Sequence, residues 1–280
     1  MVALFDDLVE LSEAWKPQSV RVEGVVDPAS VLELADLLAV EAPGEGEPLR
    51  PMWHEVVLRE DLDGVELGED GHPAGSGVLP PLSGRQRLFG GGRVRVHHPL
   101  RVGEPAWRDM TVTSTALKQG AAGALLLVTE THRWFDTHGL AIDEERNIVY
   151  RRLPASPGRR SEAATTDTAV MELTPDASLL EQFSRLTGNR HRIHVDEKYA
   201  QEVEGHPSLL VHGPLTALLA SETAFQVLGR PVTELAFRLR GPAYVGERLT
   251  FFVATGATGD DLEVTGWAGE HEYVSAHVAA

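Results

Sequence analysis

The residues best suited to catalysis or metal binding lie in one stretch, TGNRHRIHVDEKYAQEVEGHPSLLVHGPL, at positions 187–215. It contains four histidines, the side chains best suited to proton transfer near neutral pH. His191 and His194 stand three residues apart, as some metal-ligand pairs do, whereas His212 directly precedes Gly213. This stretch is therefore a candidate for an acid–base site, a metal site or a polar turn.

Acid–base chemistry is favoured by the surroundings predicted for His194. Ile193 is the one apolar residue between Asn189 and Val195, so it should anchor this loop to the core. The segment VHGPL leads into a long helix, whose first N–H groups are unpaired and positively polarised. Gly213 at the start of this helix lets a ligand approach the backbone closely. A histidine held beside such a helix start can combine a proton carrier with an oxyanion donor.

A metal site is disfavoured by the residues around the paired histidines. Arg192 stands between His191 and His194, and its positive charge is an unwelcome neighbour for a cation. Asp196 could complete a metal site, but it is also a good N-cap for the following segment EKYAQEV. We therefore predict that this stretch binds no metal.

The composition of the chain argues against several classes of function. Its 280 residues carry a formal charge of −17, so we expect neither a nucleic-acid partner nor an anionic-membrane partner. The absence of cysteine excludes thiolate nucleophiles and suits a reducing cytosol. The most apolar run, residues 121–128, is too short to span a bilayer, and Asp6 and Asp7 do not suit a signal peptide. A soluble cytoplasmic protein is expected.

The pattern along the chain indicates two similar halves. Residues 151–168 lack hydrophobic periodicity and are predicted to form a linker. On its two sides, VRVHHPLRVGE at 94–104 and FRLRGPAYVGE at 237–247 share an alternating strand, a proline and a Val-Gly-Glu sequence. Strand-like segments follow both motifs in the same order, which favours a duplication over a coincidence between two hairpins.

In the second half, a long helix is predicted to precede the strands. Pro214 suits its first turn, and Gly229 and Pro231 supply the stop. Glu222, inside this helix, is expected to face solvent or a local partner. A weaker counterpart helix is predicted at residues 29–41 of the first half. A sheet wrapped around one long helix, present twice, is an α+β arrangement.

Several motifs together resemble the MaoC-like hydratase/dehydratase family. In the second half they are F-S-x-L-T-G-N-x-H-R-I-H-x-D-x-x-Y-A, V-H-G-P-L and P-x-x-V-G-E. In the first half they are PLRPMWHEVVL at 48–58, LGEDGHPAGSGVLPP at 67–81 and FGGGRVRVHHPLRVGE at 89–104. Within this family the chain is most similar to the branch of mesaconyl-C4-CoA and itaconyl-CoA hydratase-like proteins.

The resemblance implies a double hot-dog fold, with two antiparallel sheets that each wrap around a long helix. Residues 1–155 would form a degenerate N-terminal hot-dog domain that shapes the acyl pocket. Residues 165–280 would form the MaoC-like domain that carries the hydratase motif.

The resemblance also implies a reaction. Members of the family add water reversibly, in syn geometry, to enoyl thioesters, and an aspartate and a histidine five residues apart hold the water. His194 matches that histidine, whereas Asn189 stands at the aspartate position and, as a neutral amide, cannot take a proton from water. His194 is then expected to transfer the proton and Asn189 to orient the water. Gly213 matches the glycine whose N–H stabilises the enolate-like oxygen.

Three further residues are assigned to substrate binding. Ser221 matches a serine found near the active site in the family, and His212 introduces Gly213. Arg192 is a candidate for binding the distal carboxylate of a dicarboxylic acyl-CoA through two hydrogen bonds. The alternative is that Arg192 pairs with a local acid or with the phosphates of CoA.

The expected function is that of a hydro-lyase. It would hydrate an enoyl-CoA or dehydrate a 3-hydroxyacyl-CoA, on a C4–C5 dicarboxylic group such as mesaconyl-C4-CoA or itaconyl-CoA. No cofactor is expected because CoA is part of the substrate, although an acyl-carrier protein could replace CoA, and the chain is expected to form a homodimer. Two alternatives remain, a hot-dog acyl-CoA thioesterase and a non-catalytic subunit that binds acyl thioesters.

Overall fold

The computed structural model describes residues 15–74, 78–80, 85–120, 123–152, 169–256 and 261–280. The strands of the first half are β1 (Val20–Val25), β2 (Arg85–Val96), β3 (Pro105–Gly120), β4 (Gly123–Asp136) and β5 (Gly139–Arg152). Those of the second half are β6 (Ala169–Leu173), β7 (Glu234–Leu239), β8 (Leu249–Thr255), β9 (Leu262–Ala268) and β10 (His271–Ala279). The helices are α1 (Pro28–Leu38), α2 (Ala177–Thr187), α3 (Glu197–Glu202) and α4 (Gly213–Leu228), with 3₁₀ turns at Trp53–Val56 and Arg192–His194.

The ten strands form one antiparallel sheet in the order β1-β3-β4-β5-β2-β7-β10-β9-β8-β6. Read from either edge towards the centre, each half contributes its first, third, fourth, fifth and second strand. This repeated order confirms the internal duplication and the α+β class. The two sheets expected from the sequence are continuous, because β2 pairs with β7 at the centre. The domain boundaries stay predictions, since residues 153–168 of the expected linker lie outside the described residues.

Glycines make the contact between β2 and β7 possible. Gly91 pairs with Arg238, and Gly92 pairs with Phe237. A Cβ atom on Gly91 would collide with the carbonyl oxygen of Phe237, and one on Gly92 would collide with the carbonyl oxygen of Glu145. The FGGG sequence therefore lets three backbones approach closely where the two halves join.

The helices follow local signals. Asp27 caps α1 and Asp176 caps α2, and each helix comes directly after the first strand of its half. By this position α1 is the counterpart of α2, which corrects its expected equivalence to the long helix α4. In the described residues of the first half, no helix occupies the place of α4.

The helix α4 lies at the centre of the second half, where residues 215–224 are all buried. It starts with Gly213 and Pro214 and stops at Gly229, whose φ is 62°, as expected. Glu222 was expected to face solvent or a local partner. It is instead buried, and its carboxylate accepts hydrogen bonds from Trp53 Nε1 at 2.7 Å and from Arg50 at 2.9 Å. These bonds tie α4 to the first half.

None of the described helices is both long and apolar enough to cross a bilayer.

Candidate active site

A cavity of about 520 Å³ lies between the two halves. Phe89 and Ile148 line it from the first half, and Asn189, His194 and Gly213 line it from the second. The three residues expected to carry the chemistry therefore line one cavity. Their catalytic roles remain predictions, and the geometry below shows what each can do.

His194 is held in one tautomer by the backbone. It ends the 3₁₀ turn Arg192–His194, and the preceding Ile193 is buried, as expected of an anchor. Nδ1 of His194 lies 2.7 Å from the carbonyl oxygen of Leu210. Because a carbonyl only accepts, Nδ1 must carry the proton, and Nε2 is left with a free lone pair. His194 is thus arranged as a base.

The surroundings keep this base neutral. Burial lowers the pKa of His194 well below its ordinary value, and the charges of His212 and His191 act in the same direction. The hydrogen bond to the Leu210 carbonyl opposes this shift but does not reverse it. The imidazole is therefore uncharged near neutral pH, as a proton acceptor must be.

His212 packs against the ring of His194. The two rings stack with centroids 3.7 Å apart and an interplanar angle of 20°. His212 Nε2 lies 2.8 Å from the hydroxyl oxygen of Ser184 on α2, and burial lowers the pKa of His212 to about 3. His212 does not line the cavity. Its expected contact with substrate stays a prediction, and the geometry instead suits it to position the ring of His194.

Asn189 follows the left-handed Gly188 that ends α2, where the sequence predicts a helix stop. Its Oδ1 accepts a hydrogen bond of 3.0 Å from the backbone N–H of His191. An amide whose oxygen is engaged in this way presents its NH₂ group as a donor. Asn189 can therefore hold the oxygen of a water molecule while another group removes the proton.

Gly213 and Pro214 bring the start of α4 to the cavity wall. Pro214 has no N–H, so the N–H of Gly213 is the first donor of the helix. A Cβ atom on Gly213 would collide with the ring of Phe89 and lie 2.8 Å from Leu239 Cδ1. Only glycine fits here, because the backbone packs directly against two side chains of the sheet.

Arg192 does not reach the cavity. Its Nη2 and Nε lie 2.6 Å and 3.1 Å from Asp196 Oδ2, and its Nη1 donates to the carbonyl oxygen of Glu69 at 3.0 Å. The alternative of a local acid is therefore observed, and the assignment of Arg192 to the substrate carboxylate stays a prediction that this geometry disfavours. Asp196 also accepts from the N–H of Tyr199 at 3.0 Å, which confirms it as the N-cap of α3.

Ser221 is buried on α4, and it is also absent from the cavity wall. Its expected role in substrate binding therefore has no support from the cavity lining and stays a prediction. It packs inside the second half as part of the buried run of α4.

Glu204 is the partner of two histidines of this stretch, His191 and His206, and it was not identified from the sequence. Its carboxylate lies 3.1 Å from His191 Nε2 and 3.7 Å from His206 Nε2, and Gln86 donates to it at 3.0 Å. These hydrogen bonds outweigh the effect of burial and lower the pKa of Glu204 to about 2. Glu204 is therefore an anion held by its neighbours, and nothing in its local sequence marks it.

A loop of the first half adds a second group that sequence reasoning missed. His72 lines the cavity, and its ring centroid lies 4.6 Å from that of His191. Its Nδ1 lies 2.9 Å from Asp70 Oδ2, and burial together with the charge of Arg87 lowers the pKa of His72 to about 4. The backbone N–H of Arg192 donates to the Asp70 carbonyl at 2.9 Å, so this loop is docked on the histidine-rich stretch.

Among the residues that the structure describes, two clusters have side chains of metal-ligand type with atoms within 4.8 Å of one another. They are Asp70 with His72 and His191, and His54 with Glu55 and Glu144. In the second cluster Arg146 lies 2.8 Å from both carboxylates. In the first, the positive charge of Arg87 acts on both Asp70 and His72. A cation is an unfavourable neighbour for an arginine, so the absence of a metal stays our prediction.

Comparisons with known proteins identify relatives of this chain. A family profile described as hydroxyacyl-thioester dehydratase type 2 matches residues 52–245. A mesaconyl-C4-CoA hydratase of Chloroflexus aurantiacus is 37% identical over 264 residues, which cover 90% of this chain and 92% of that protein.

Solved structures support the fold. A MaoC-like dehydratase from Phytophthora capsici has a TM-score of 0.68 at 13% identity, covering 96% of this chain and 97% of its own. A Mycobacterium tuberculosis protein described as having a double hotdog fold has a TM-score of 0.58 at 14% identity, covering 96% of each chain. These likenesses confirm the expected double hot-dog fold.

Proposed function

Because the chain belongs to the hydroxyacyl-thioester dehydratase type 2 family, we propose that it is a hydro-lyase that hydrates an enoyl-CoA reversibly. The similarity to a mesaconyl-C4-CoA hydratase supports a short dicarboxylic acyl group as substrate. CoA is then the carrier of the acyl group. A cytoplasmic location and a homodimer remain predictions.

The observation that carries this proposal is the bond between His194 Nδ1 and the Leu210 carbonyl, 2.7 Å long. It turns the unprotonated Nε2 of a neutral, buried histidine towards a cavity that Asn189 and Gly213 also line. A base, a donor that can hold water and an oxyanion donor are the three elements that hydration of a thioester needs.

The reaction follows from these three groups. Asn189 donates to a water molecule, and His194 Nε2 removes a proton from it as the oxygen bonds to the β-carbon of the enoyl group. The electron pair of the double bond moves towards the thioester, whose oxygen receives the N–H of Gly213 and the positive end of α4. The protonated His194 then transfers its proton to the α-carbon. Both additions use one side chain, so they occur on one face.

The thioesterase alternative requires a group that attacks the thioester carbonyl. Three carboxylates line the cavity, and two of them are already paired, Glu55 with Arg146 and Glu130 with His132. The third, Glu60, is the group that hydrolysis would require. A direct assay separates the two reactions, because hydration removes the conjugated double bond and hydrolysis releases a thiol.

The test uses purified protein with mesaconyl-C4-CoA, following the loss of enoyl-thioester absorbance and the release of free thiol. We expect absorbance loss without thiol, and a decrease of about 10²–10⁴-fold in His194→Ala. His138→Ala is the matched control, because His138 is exposed and does not line the cavity. Thiol release at the rate of absorbance loss, or full activity in His194→Ala, would contradict the proposal.

A further inference from the structure

A dicarboxylic substrate brings a second negative charge into the cavity, and with Arg192 bound to Asp196 that charge needs another partner. In a mesaconyl-C4 thioester the free carboxylate is attached to the carbon that receives the hydroxyl group. Its partner must therefore lie beside the reacting carbons, near Asn189, His194 and Gly213. This inference rests on the proposed function.

Six arginines line the cavity: Arg87, Arg108, Arg146, Arg151, Arg190 and Arg240. Four of them already have polar partners. Arg146 binds Glu55 and Glu144, Arg151 donates to Gln86, Arg190 lies near Asp63, and Arg240 lies near Glu272. Within the part of the chain that the structure describes, neither Arg87 nor Arg108 has a carboxylate within 4.0 Å, and the polar side chain beside Arg87 is Tyr150. Both have a buried Nε without a partner.

Arg87 is the one of these two that lies beside the reacting groups. It precedes Phe89 by two residues on β2, so the two side chains share one face of the sheet about 7 Å apart along the strand. The ring of Phe89 packs against Gly213, the expected oxyanion donor. Arg87 also acts by its charge on His72, whose ring lies next to that of His191.

Arg108 lies at the far side of the first-half sheet. It is on β3, which is separated from β2 by β4 and β5. With about 4.8 Å between neighbouring strands, the two backbones are about 14 Å apart. The guanidinium of Arg108 is 4.9 Å from the ring centroid of Trp134. A thioester placed at Gly213 would not bring a β-carboxylate to this position.

We propose that Arg87 binds the free carboxylate of the substrate through charge-assisted hydrogen bonds. The guanidinium is half-buried, and it lies 5.2 Å from the ring centroid of Tyr150 instead of beside an acid. The carboxylate of Asp70 is further away than 4.0 Å and is bonded to His72. An incoming carboxylate would supply the acidic partner that this half-buried cation lacks among the described residues.

The experiment compares two substrates that differ at one group. Mesaconyl-C4-CoA carries a carboxylate where 3-methylcrotonyl-CoA carries a methyl group. We expect Arg87→Gln to lower kcat/KM by about 30-fold or more for the first thioester and by less than about threefold for the second. Arg108→Gln is the matched control and should leave the ratio of the two values unchanged. Retained activity on 3-methylcrotonyl-CoA shows that Arg87→Gln is folded. Equal losses on both thioesters would overturn the role of Arg87.

A binding measurement separates this inference from the proposed reaction. Calorimetry with methylsuccinyl-C4-CoA and isovaleryl-CoA, the saturated forms of the two substrates, needs no turnover. Tighter binding of the dicarboxylic form by the wild type, lost in Arg87→Gln, supports the inference even if hydration fails. If the wild type hydrates the substrate and Arg87→Gln still prefers the dicarboxylic thioester to the same degree, the proposed function stands and only the inference about Arg87 is overturned.

Discussion

The imidazole rings of His194 and His212 stack at 3.7 Å, and both are buried. One ring lines the cavity, while the other bonds to Ser184 and has no contact with it. The pair therefore combines a ring expected to transfer protons, His194, with a ring that packs behind it, His212. Because the two rings are stacked and buried, protonation of either one would place a charge against its neighbour. Protonation of this pair should therefore lower the stability of the fold.

The stability of the protein should fall as the pH falls below the pKa of an unfolded histidine, about 6.5. Burial lowers the pKa of folded His212 to about 3, so between these values the unfolded chain binds the proton and the folded chain does not. From pH 6.5 to 5, His212 alone should remove about 2 kcal/mol of unfolding free energy. Urea unfolding at the two pH values measures the loss.

The control for this prediction is His212→Phe, which keeps an aromatic ring against His194 but cannot be protonated. Its loss of stability between the two pH values should be smaller than that of the wild type by the same 2 kcal/mol, roughly. An identical loss in both proteins would mean that His212 does not resist protonation.

Asn189→Asp should alter both the rate and its pH dependence. The carboxylate can still accept from the N–H of His191, but it no longer donates to water, so kcat should fall about tenfold. Its negative charge should raise the pKa of His194, which is now well below the ordinary value. The acidic limb of the kcat/KM profile should therefore move to higher pH.

Asn189→Ala is the comparison for this variant, because it removes the donor without adding charge. It should lower kcat and leave the acidic limb at low pH. A limb that stays in place in Asn189→Asp would show that residue 189 lies too far from His194 to hold the same water.

Gly213→Ala should reduce activity by more than it reduces stability. The added methyl group collides with Phe89 and Leu239, which displaces the start of α4 and its first N–H. Loss of one oxyanion donor costs about 10²–10³-fold in kcat. Phe89→Ala combined with Gly213→Ala should recover part of this loss by making space.

Gly229→Ala serves as the control at the other end of α4. Its φ is 62° and its added methyl group meets open space, so only backbone strain is introduced. It should lower thermal stability by about 1 kcal/mol and leave kcat unchanged. Equal effects of the two variants on kcat would remove the special role of Gly213.

Arg192→Ala should weaken the site without changing its substrate preference. Arg192 joins Asp196 to the loop at Glu69, so its loss should loosen the docking of that loop. The kcat/KM values for mesaconyl-C4-CoA and 3-methylcrotonyl-CoA should fall by the same factor. A selective loss on the dicarboxylic thioester would restore Arg192 as the carboxylate partner and argue against Arg87.

Local features of this protein could be predicted because their causes lie close together in the sequence. Asp196 caps the helix it precedes, Gly188 ends α2, and Pro214 starts α4. The repeated Val-Gly-Glu motifs indicated the duplication for the same reason, since each is a short stretch with its own turn chemistry. His194, Asn189 and Gly213 could be chosen from one stretch of sequence, and they line one cavity.

The remaining features depend on residues that are far apart in the chain. Glu222 meets Trp53 only after the two halves pack together, and Arg87 acts on His72 only after β2 and the loop of His72 come together within the first half. The pairing of β2 with β7 into one sheet has the same origin.

Arg192 shows why the partner of a charged side chain could not be predicted from the sequence. A sequence states that an arginine is present, but whether its guanidinium is free depends on which acid the fold brings within hydrogen-bond reach. In this fold Arg192 forms an ion pair with Asp196, whereas Arg87 has no carboxylate partner among the described residues. The sequence by itself determined the elements and indicated the candidate reacting residues, and tertiary packing decided which charges remain for a ligand.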